Sequence, residues 1–241
     1  MPFIFARCGA AWIIAGLLCT PVQAATLLHS YNFSTDASDS VGSLNGTLVG
    51  AASASGGVLT LSSAGSYVQL SGFAIPDNNF SISLMAKGGP QSGYSEFISQ
   101  NYSGGGLYIG TNPSNGIRLG DQLTSTGVAF LDDNVFHAYT LAADATGSYF
   151  YIDGTLVGSY GAVISEPPTG TATRFGQQFD PDTEQFIGQL ANIQIFAGAL
   201  SAAEATSYAT TGSVTAVPEP VSLLLLGTGL AGLGFVRRTT K

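Results

Sequence analysis

Asp180-Pro181-Asp182-Thr183-Glu184 is the stretch of this chain with the most chemistry in it. A spacing of two would put the three carboxylates on one face if the segment were a strand. Two carboxyl groups held about 5–5.5 Å apart can carry out retaining glycoside hydrolysis. Oxygen ligands of this kind also suit Ca²⁺. Pro181 argues against a regular strand, because proline cannot donate to a sheet ladder. The leading expectation is a solvated acidic loop, with a Ca²⁺ loop of Asp180, Asp182 and Glu184 second and catalysis third. No other cofactor is indicated.

Other candidates are thinner. Asp132-Asp133-Asn134 has the composition of a turn. His137 could be a base or a metal ligand, but His29, the only other histidine, is far away in sequence, and a structural role is expected. Gly104-Gly105-Gly106 precedes an apolar run of strand type, whereas a phosphate loop opens a helix. No nucleophile-elbow or zinc-protease motif occurs, and no catalytic residue is assigned. Tyr149 and Tyr151 alternate on one strand and Tyr139 lies on the strand before. Tyrosines on an open sheet face stack against sugar rings while their hydroxyls hydrogen-bond. The three are therefore candidate glycan-binding residues.

The elements that must position these residues read as short strands. Phe136–Ala143, Ser148–Ile152 and Thr155–Tyr160 form a meander. Asp153-Gly154 between the last two is a strong hairpin signal, since a type I′ turn needs positive φ at both central residues. Leu27–Phe33, Val58–Leu61, Tyr67–Leu70, Phe80–Ala86, Glu96–Gln100, Leu107–Gly110, Ile117–Gly120, Ala172–Gly176 and Gly188–Ala197 are further strands. In Phe80–Ala86, Phe80, Ile82 and Leu84 alternate with Ser81 and Ser83, the pattern of a half-buried strand. Ser201–Tyr208 is the one helix, opened by a capping box of Ser201 and Glu204. Many short strands with a late helix predict an all-β fold of two antiparallel sheets in a sandwich.

Charge narrows the partners. Among 241 residues the formal net charge is −8. Between Ala25 and Val217, Lys87, Arg118 and Arg174 stand against fourteen carboxylates, a net of −11. Nucleic acid needs a basic footprint and is excluded as a partner. Cys8 and Cys19 both lie before Ala25, so that region has no thiol for a disulfide or a thiolate metal site.

The two ends read as address labels. Residues 1–24 have the three parts of a secretory signal: Arg7, the apolar run Gly9–Leu18 and small residues at Val22 and Ala24. Cleavage is expected between Ala24 and Ala25, after handling by the Sec machinery. In residues 217–241, Pro218-Glu219-Pro220 is followed by the apolar run Val221–Val236 and the basic Arg237, Arg238 and Lys241. Sixteen residues span about 24 Å as a helix, short of a typical ~30 Å hydrocarbon core. The basic end would stay cytoplasmic and leave residues 25–216 outside.

These residues carry two resemblances. Asp39-Ser40 with Asn45–Gly50 is similar to the opening DSSG…GTLVG of the LamG-like jelly-roll family, a branch of the concanavalin A-like lectin/glucanase fold. Ser66–Leu70 resembles that family's GxYVxL strand, and Phe80–Lys87 its FTISFWVK strand. Phe136–Leu141 with Tyr151–Gly154 resembles WHHVAL…YVDG, and Phe186–Phe196 with Ala199-Leu200-Ser201 the closing FxGxIDEVRIY…ALS. Met85 and Phe136 stand where the family has Trp, and Ala191 where it has the Asp of IDE. Glucanases of this fold carry a Glu-x-Asp-x-Glu strand, of which Asp180–Glu184 is an imperfect echo. Residues 217–241 resemble a PEP-CTERM sorting signal. That resemblance implies a Gram-negative exporter, an exosortase that cuts near Pro218-Glu219-Pro220, transient inner-membrane insertion, and release or display at the surface. Together the two imply a non-catalytic jelly-roll module at residues 25–216. It would bind or organise extracellular polysaccharide, with a structural matrix role as the alternative and hydrolysis as a remote one.

Overall fold

A computed structural model describes residues 25–76, 78–100, 106–121, 123–161, 172–178 and 184–214. The signal segment, Asp180, Asp182 and the Pro218–Pro220 motif lie outside the described residues. The described residues form β1 (Thr26–Tyr31), β2 (Gly46–Val49), β3 (Ser53–Ser55), β4 (Val58–Leu61), β5 (Tyr67–Leu70), β6 (Phe80–Lys87), β7 (Ser95–Gln100), β8 (Leu107–Thr111) and β9 (Ile117–Leu119). These are followed by β10 (His137–Asp144), β11 (Gly147–Ile152), β12 (Thr155–Tyr160), β13 (Thr173–Phe175), β14 (Gly188–Ala197) and α1 (Ala202–Thr211).

Two antiparallel sheets result. One runs β12-β11-β10-β6-β14-β4-β3, with β1 also pairing β14; the other runs β2-β5-β13-β7-β8-β9. Alternate residues of both sheets fill the space between them. Leu59, Ile82, Leu84, Leu141 and Ile195 come from the first sheet; Val68, Phe97, Ile109, Leu119 and Phe175 come from the second. The core closes within Gln23–Val217, so the sandwich carries what it needs to fold alone.

Local chemistry explains the elements. Asp153 (φ 50°) and Gly154 (φ 75°) make the positive-φ turn that joins β11 to β12. A Cβ on Gly154 would stand 2.7 Å from Thr206 Cα, so α1 packs on the turn only because the residue is glycine. Ser201 and Glu204 form the expected capping box, and Gly212 (φ 70°) closes the helix in a left-handed cap. Tyr208, fully buried, donates its hydroxyl hydrogen to the carbonyl of Asn192, where β14 bulges between Ala191 and Gln194. The opening motif has a mechanical purpose as well. Asp39 accepts backbone hydrogen bonds from Ser30, Val41, Gly42 and Leu44 and meets His29 Nδ1 at 2.7 Å. Burial pushes the Asp39 pKa up, but these donors outweigh it and the net shift is downward.

β6 departs from expectation. Its serine face is buried too. Ser81 donates to the Gly198 carbonyl and accepts from Leu200 N, and Ser83 bonds Thr140 at 2.9 Å. Alternation reads as one wet face only when nothing covers the polar side, and here the segment around α1 covers it. The three-residue strand β3, too short and too Ser-rich to signal itself, was not expected.

Candidate functional site

The outer face of the six-stranded sheet holds a charged cluster. Glu96 on β7, Gly110 on β8 and Arg118 on β9 lie in one cross-strand row. Ile117 and Leu119 point into the core, so Arg118 must point outward. Gly110 has no side chain, and the flanking side chains meet above it. A Cβ there would collide with the Ser95 carbonyl and Glu96 Oε2. Arg118 Nε donates to Glu96 Oε1 at 2.8 Å, and its Nη2 donates to both Glu96 and Glu184. The guanidinium is held between the Tyr94 and Tyr108 rings, 4.4 and 4.8 Å from their centroids.

One guanidinium thus serves two carboxyl groups. Glu96 is fully buried, and its Oε2 has no donor facing it. Desolvation drives its pKa well above the carboxylate range; Arg118 pulls it down but does not prevail, and the neighbouring Glu184 carboxyl pushes it up again. Burial lowers the Arg118 pKa, but Glu96 and Glu184 overcompensate and keep it cationic.

Beside this cluster a cleft of about 340 Å³ opens between the 90–95 segment and Gln185–Ile187. Tyr94 lines it and is 42% exposed, as is Ile187. Pro90 and Ala64 complete the apolar part, and Ser92 adds an exposed hydroxyl. The walls are fixed by amides. Gln91 Nε2 donates to the carbonyls of Gly89 and Ile187. Gln185 donates to Ser66, Gly176 and Phe186 and accepts from Gly65. The cleft therefore offers a braced aromatic ring in a preformed groove, the arrangement that receives one or two sugar rings.

The residues singled out from sequence fall elsewhere. Tyr139 is 0% exposed and packs against Phe97, Phe130 and Phe150. Tyr151 is buried in the small cluster of Ala142, Phe196, Leu200 and Ala205. Only Tyr149 is partly open, with its hydroxyl 3.1 Å from Thr146 Oγ1. The expected three-tyrosine face is therefore corrected. Tyr139 sits opposite Ile152 on β11, and Tyr149 and Tyr151 project to the other side of the sheet. Glu184 is held by Arg118; Asp180 and Asp182 lie outside the described residues, so the acidic loop has no described geometry. Asp132-Asp133-Asn134 is a turn, with Asn134 at φ 61° and Asp133 capping Val135 N. His137 is structural in its contacts: Nδ1 meets Asp153 Oδ2 at 2.7 Å and Nε2 meets Asp133 at 3.2 Å. Among the described residues no group of His, Cys, Asp or Glu side chains is placed to hold a metal ion.

Glu96, Tyr94, Gly110 and Arg118 were not singled out from sequence as a site. The signal was present in Arg118, a charge at the alternating position of a short apolar strand.

A family model described as the concanavalin A-like lectin/glucanases superfamily matches residues 61–206, more than half of the chain. The chain belongs to this superfamily. Its sandwich extends past the matched range, since β1 pairs with β14. The PEP-CTERM protein-sorting motif matches residues 216–238. The protein is therefore exported, held transiently in the membrane by that segment, then processed by exosortase and displayed at the surface. Among the described residues no helix is long and apolar enough to cross a membrane. No curated protein sequence matches the chain.

Solved structures share the fold. Domain 4 of AbnA, a GH43 extracellular arabinanase from Geobacillus stearothermophilus solved in complex with arabinotriose, is 20% identical with a TM-score of 0.65, over 78% of this superfamily member and 100% of that domain. The Trypanosoma rangeli sialidase in complex with 2,3-difluoro-KDN is 14% identical with a TM-score of 0.62, over 79% of this chain but 33% of the sialidase. The chain thus spans about a third of that enzyme. At these identities the likeness establishes the architecture.

Proposed function

We propose that this exported protein is a non-catalytic glycan-binding module that attaches to or organises extracellular polysaccharide through the Tyr94 cleft. The observation that carries the reading is the exposed Tyr94 ring, which stacks with Arg118 and lines a walled groove. That a structurally similar domain was solved with arabinotriose supports it. Among the described residues, the carboxyl groups beside the cleft favour binding over hydrolysis: Glu96 is sealed and Glu184 is engaged by Arg118. In this reading residues 1–24 are removed between Ala24 and Ala25, residues 25–216 are the module, and residues 217–241 are the sorting segment cut near Pro218-Glu219-Pro220.

Affinity electrophoresis of the 25–217 sandwich in gels containing polysaccharide tests it. Retardation that Tyr94→Ala abolishes is expected. If no polysaccharide retards the folded domain, the reading fails. The second reading, adhesion to a protein, draws on β12. This strand edges its sheet and exposes Leu156 and Val157, an edge suited to strand addition. Saturable binding to a protein of the matrix, lost in Val157→Lys and retained in Tyr94→Ala, would favour it.

A further inference from the structure

The chemical class of the glycan follows from where the cations are. This inference rests on the glycan-binding reading above. Anionic polysaccharides, whether uronate-rich or sulfated, are captured by exposed arginine and lysine, which meet their carboxylates and sulfates with charge-assisted hydrogen bonds. The region from Ala25 to Val217 has three cations to offer. Arg118 is 4% exposed and shared between Glu96 and Glu184. Arg174 is stacked 4.3 Å from the Tyr67 centroid and donates to Gln69 and the Gln178 carbonyl. Lys87 lies over the Phe136 ring and does not line the cleft. None of the three is presented in the groove.

The groove itself is uncharged, lined by the apolar Pro90 and Ile187, the Tyr94 ring, the Ser92 hydroxyl and the amides of Gln91 and Gln185. Among the described residues the charged groups beside it are Arg118, Glu96 and Glu184, and their sum is zero with Glu96 protonated and −1 with it ionised. The whole region from Ala25 to Val217 carries a net of −11. Like charge on protein and polymer opposes approach at low salt. Stacking of a sugar face on tyrosine requires no charge. We propose that the Tyr94 cleft selects uncharged glycans and discriminates against uronate and sulfate polymers. Neutral chains would dock by CH–π stacking on Tyr94, with hydrogen bonds from their hydroxyls to Ser92 and the tyrosine hydroxyl.

The test is affinity electrophoresis and calorimetry of the 25–217 sandwich against linear arabinan, galactomannan and dextran as neutral probes, and polygalacturonate and alginate as anionic ones. Each is measured at about 10 mM and 1 M salt, where the Debye lengths are ~30 and ~3 Å. The expected result is retention of at least one neutral polymer, with affinity unchanged by salt and about tenfold weaker in Tyr94→Ala. Ile187→Lys places a cation on the groove rim and should create salt-sensitive binding to polygalacturonate; it keeps the test alive if Tyr94→Ala does not fold. Unmutated protein that binds an anionic probe, with affinity falling as salt rises or only with added Ca²⁺, overturns the selectivity and leaves glycan binding standing. Failure to bind any probe of either class overturns the glycan-binding reading and the selectivity with it.

Discussion

Asp153 holds His137 from across a hairpin: its Oδ2 lies 2.7 Å from His137 Nδ1, and its Oδ1 accepts the Ala138 N–H at 2.9 Å. Asp133 takes the other ring nitrogen at 3.2 Å. Carboxylates at both nitrogens favour the imidazolium form, because a neutral ring would aim a lone pair at one of them. Partial burial lowers the His137 pKa, but the hydrogen bonds to Asp153 and Asp133 prevail and the net shift is upward. The resulting stability is complete below the unfolded value of about 6.5 and is lost as pH rises through the raised folded value. Thermal midpoints measured from pH 5 to pH 9 should fall across that window, and His137→Gln should flatten the fall. An unchanged pH profile in His137→Gln would refute the assignment.

Burial raises the Glu96 pKa above the ordinary carboxylate range, against the pull of Arg118. Its folded pKa is raised, so its contribution is complete below the unfolded carboxylate value of about 4.3 and is lost as pH rises through the folded one. Glu96→Gln copies the protonated form, with its oxygen accepting from Arg118. The variant should fold and gain stability relative to the parent on the alkaline side. Glu96→Ala should lose about 1–3 kcal/mol, because Arg118 loses a buried hydrogen-bond partner and keeps only Glu184. Chemical denaturation at pH 6 and pH 9 separates the two variants. A Glu96→Gln protein less stable than the parent at pH 9 would show Glu96 to be ionised.

Gly110 is where a single methyl group should reach the cleft. The added Cβ would meet the Ser95 carbonyl, a backbone atom that cannot swing aside, and Glu96 Oε2. Gly110→Ala should cost about 1–3 kcal/mol as an overpacked site. A midpoint shift of about 2–4 °C per kcal/mol is expected for a domain of this size. Because Arg118 braces Tyr94, the same variant should weaken glycan retention, whereas Gly93→Ala, with open space around the added carbon, should leave stability unchanged.

Tyr149 and Tyr151 give the opposite pairing. Tyr149→Ala should leave both fold and glycan retention intact. Tyr151→Ala should destabilise by about 3 kcal/mol, the cost of emptying a buried aromatic site, without changing affinity in the folded fraction. Loss of glycan binding in Tyr149→Ala at full stability would move the site to the other sheet.

The elements were legible where their causes are local. The β11–β12 turn needs Asp153-Gly154, the helix start needs Ser201 and Glu204, and both signals lie within a few residues of what they fix. The run of short strands fixed the sandwich, and the ordered motifs from Asp39 to Ser201 pointed to its family. The site was not legible in the same way. Glu96 and Arg118 are 22 residues apart, and Arg118 and Glu184 are 66 apart. Nothing in either segment announces the other.

Tyrosine spacing misled for a related reason. Periodicity tells which residues share a strand face, and it placed Tyr149 with Tyr151 correctly. It does not tell which face is covered. Tyr139 entered the core because β10 is central in its sheet, and Tyr151 was covered because α1 folds back across the sheet.

Sequence by itself determined the export address, the strand content, the turns and the absence of thiols from residues 25–217, since each depends on composition or on neighbours along the chain. The tertiary structure alone decided that Gly110 would let Glu96 reach Arg118, that Arg118 would brace Tyr94, and that, among the described residues, the groove beside them would hold no exposed cation. Those relations depend on strand register between segments far apart in the chain. Register is settled only when the two sheets close on a common core.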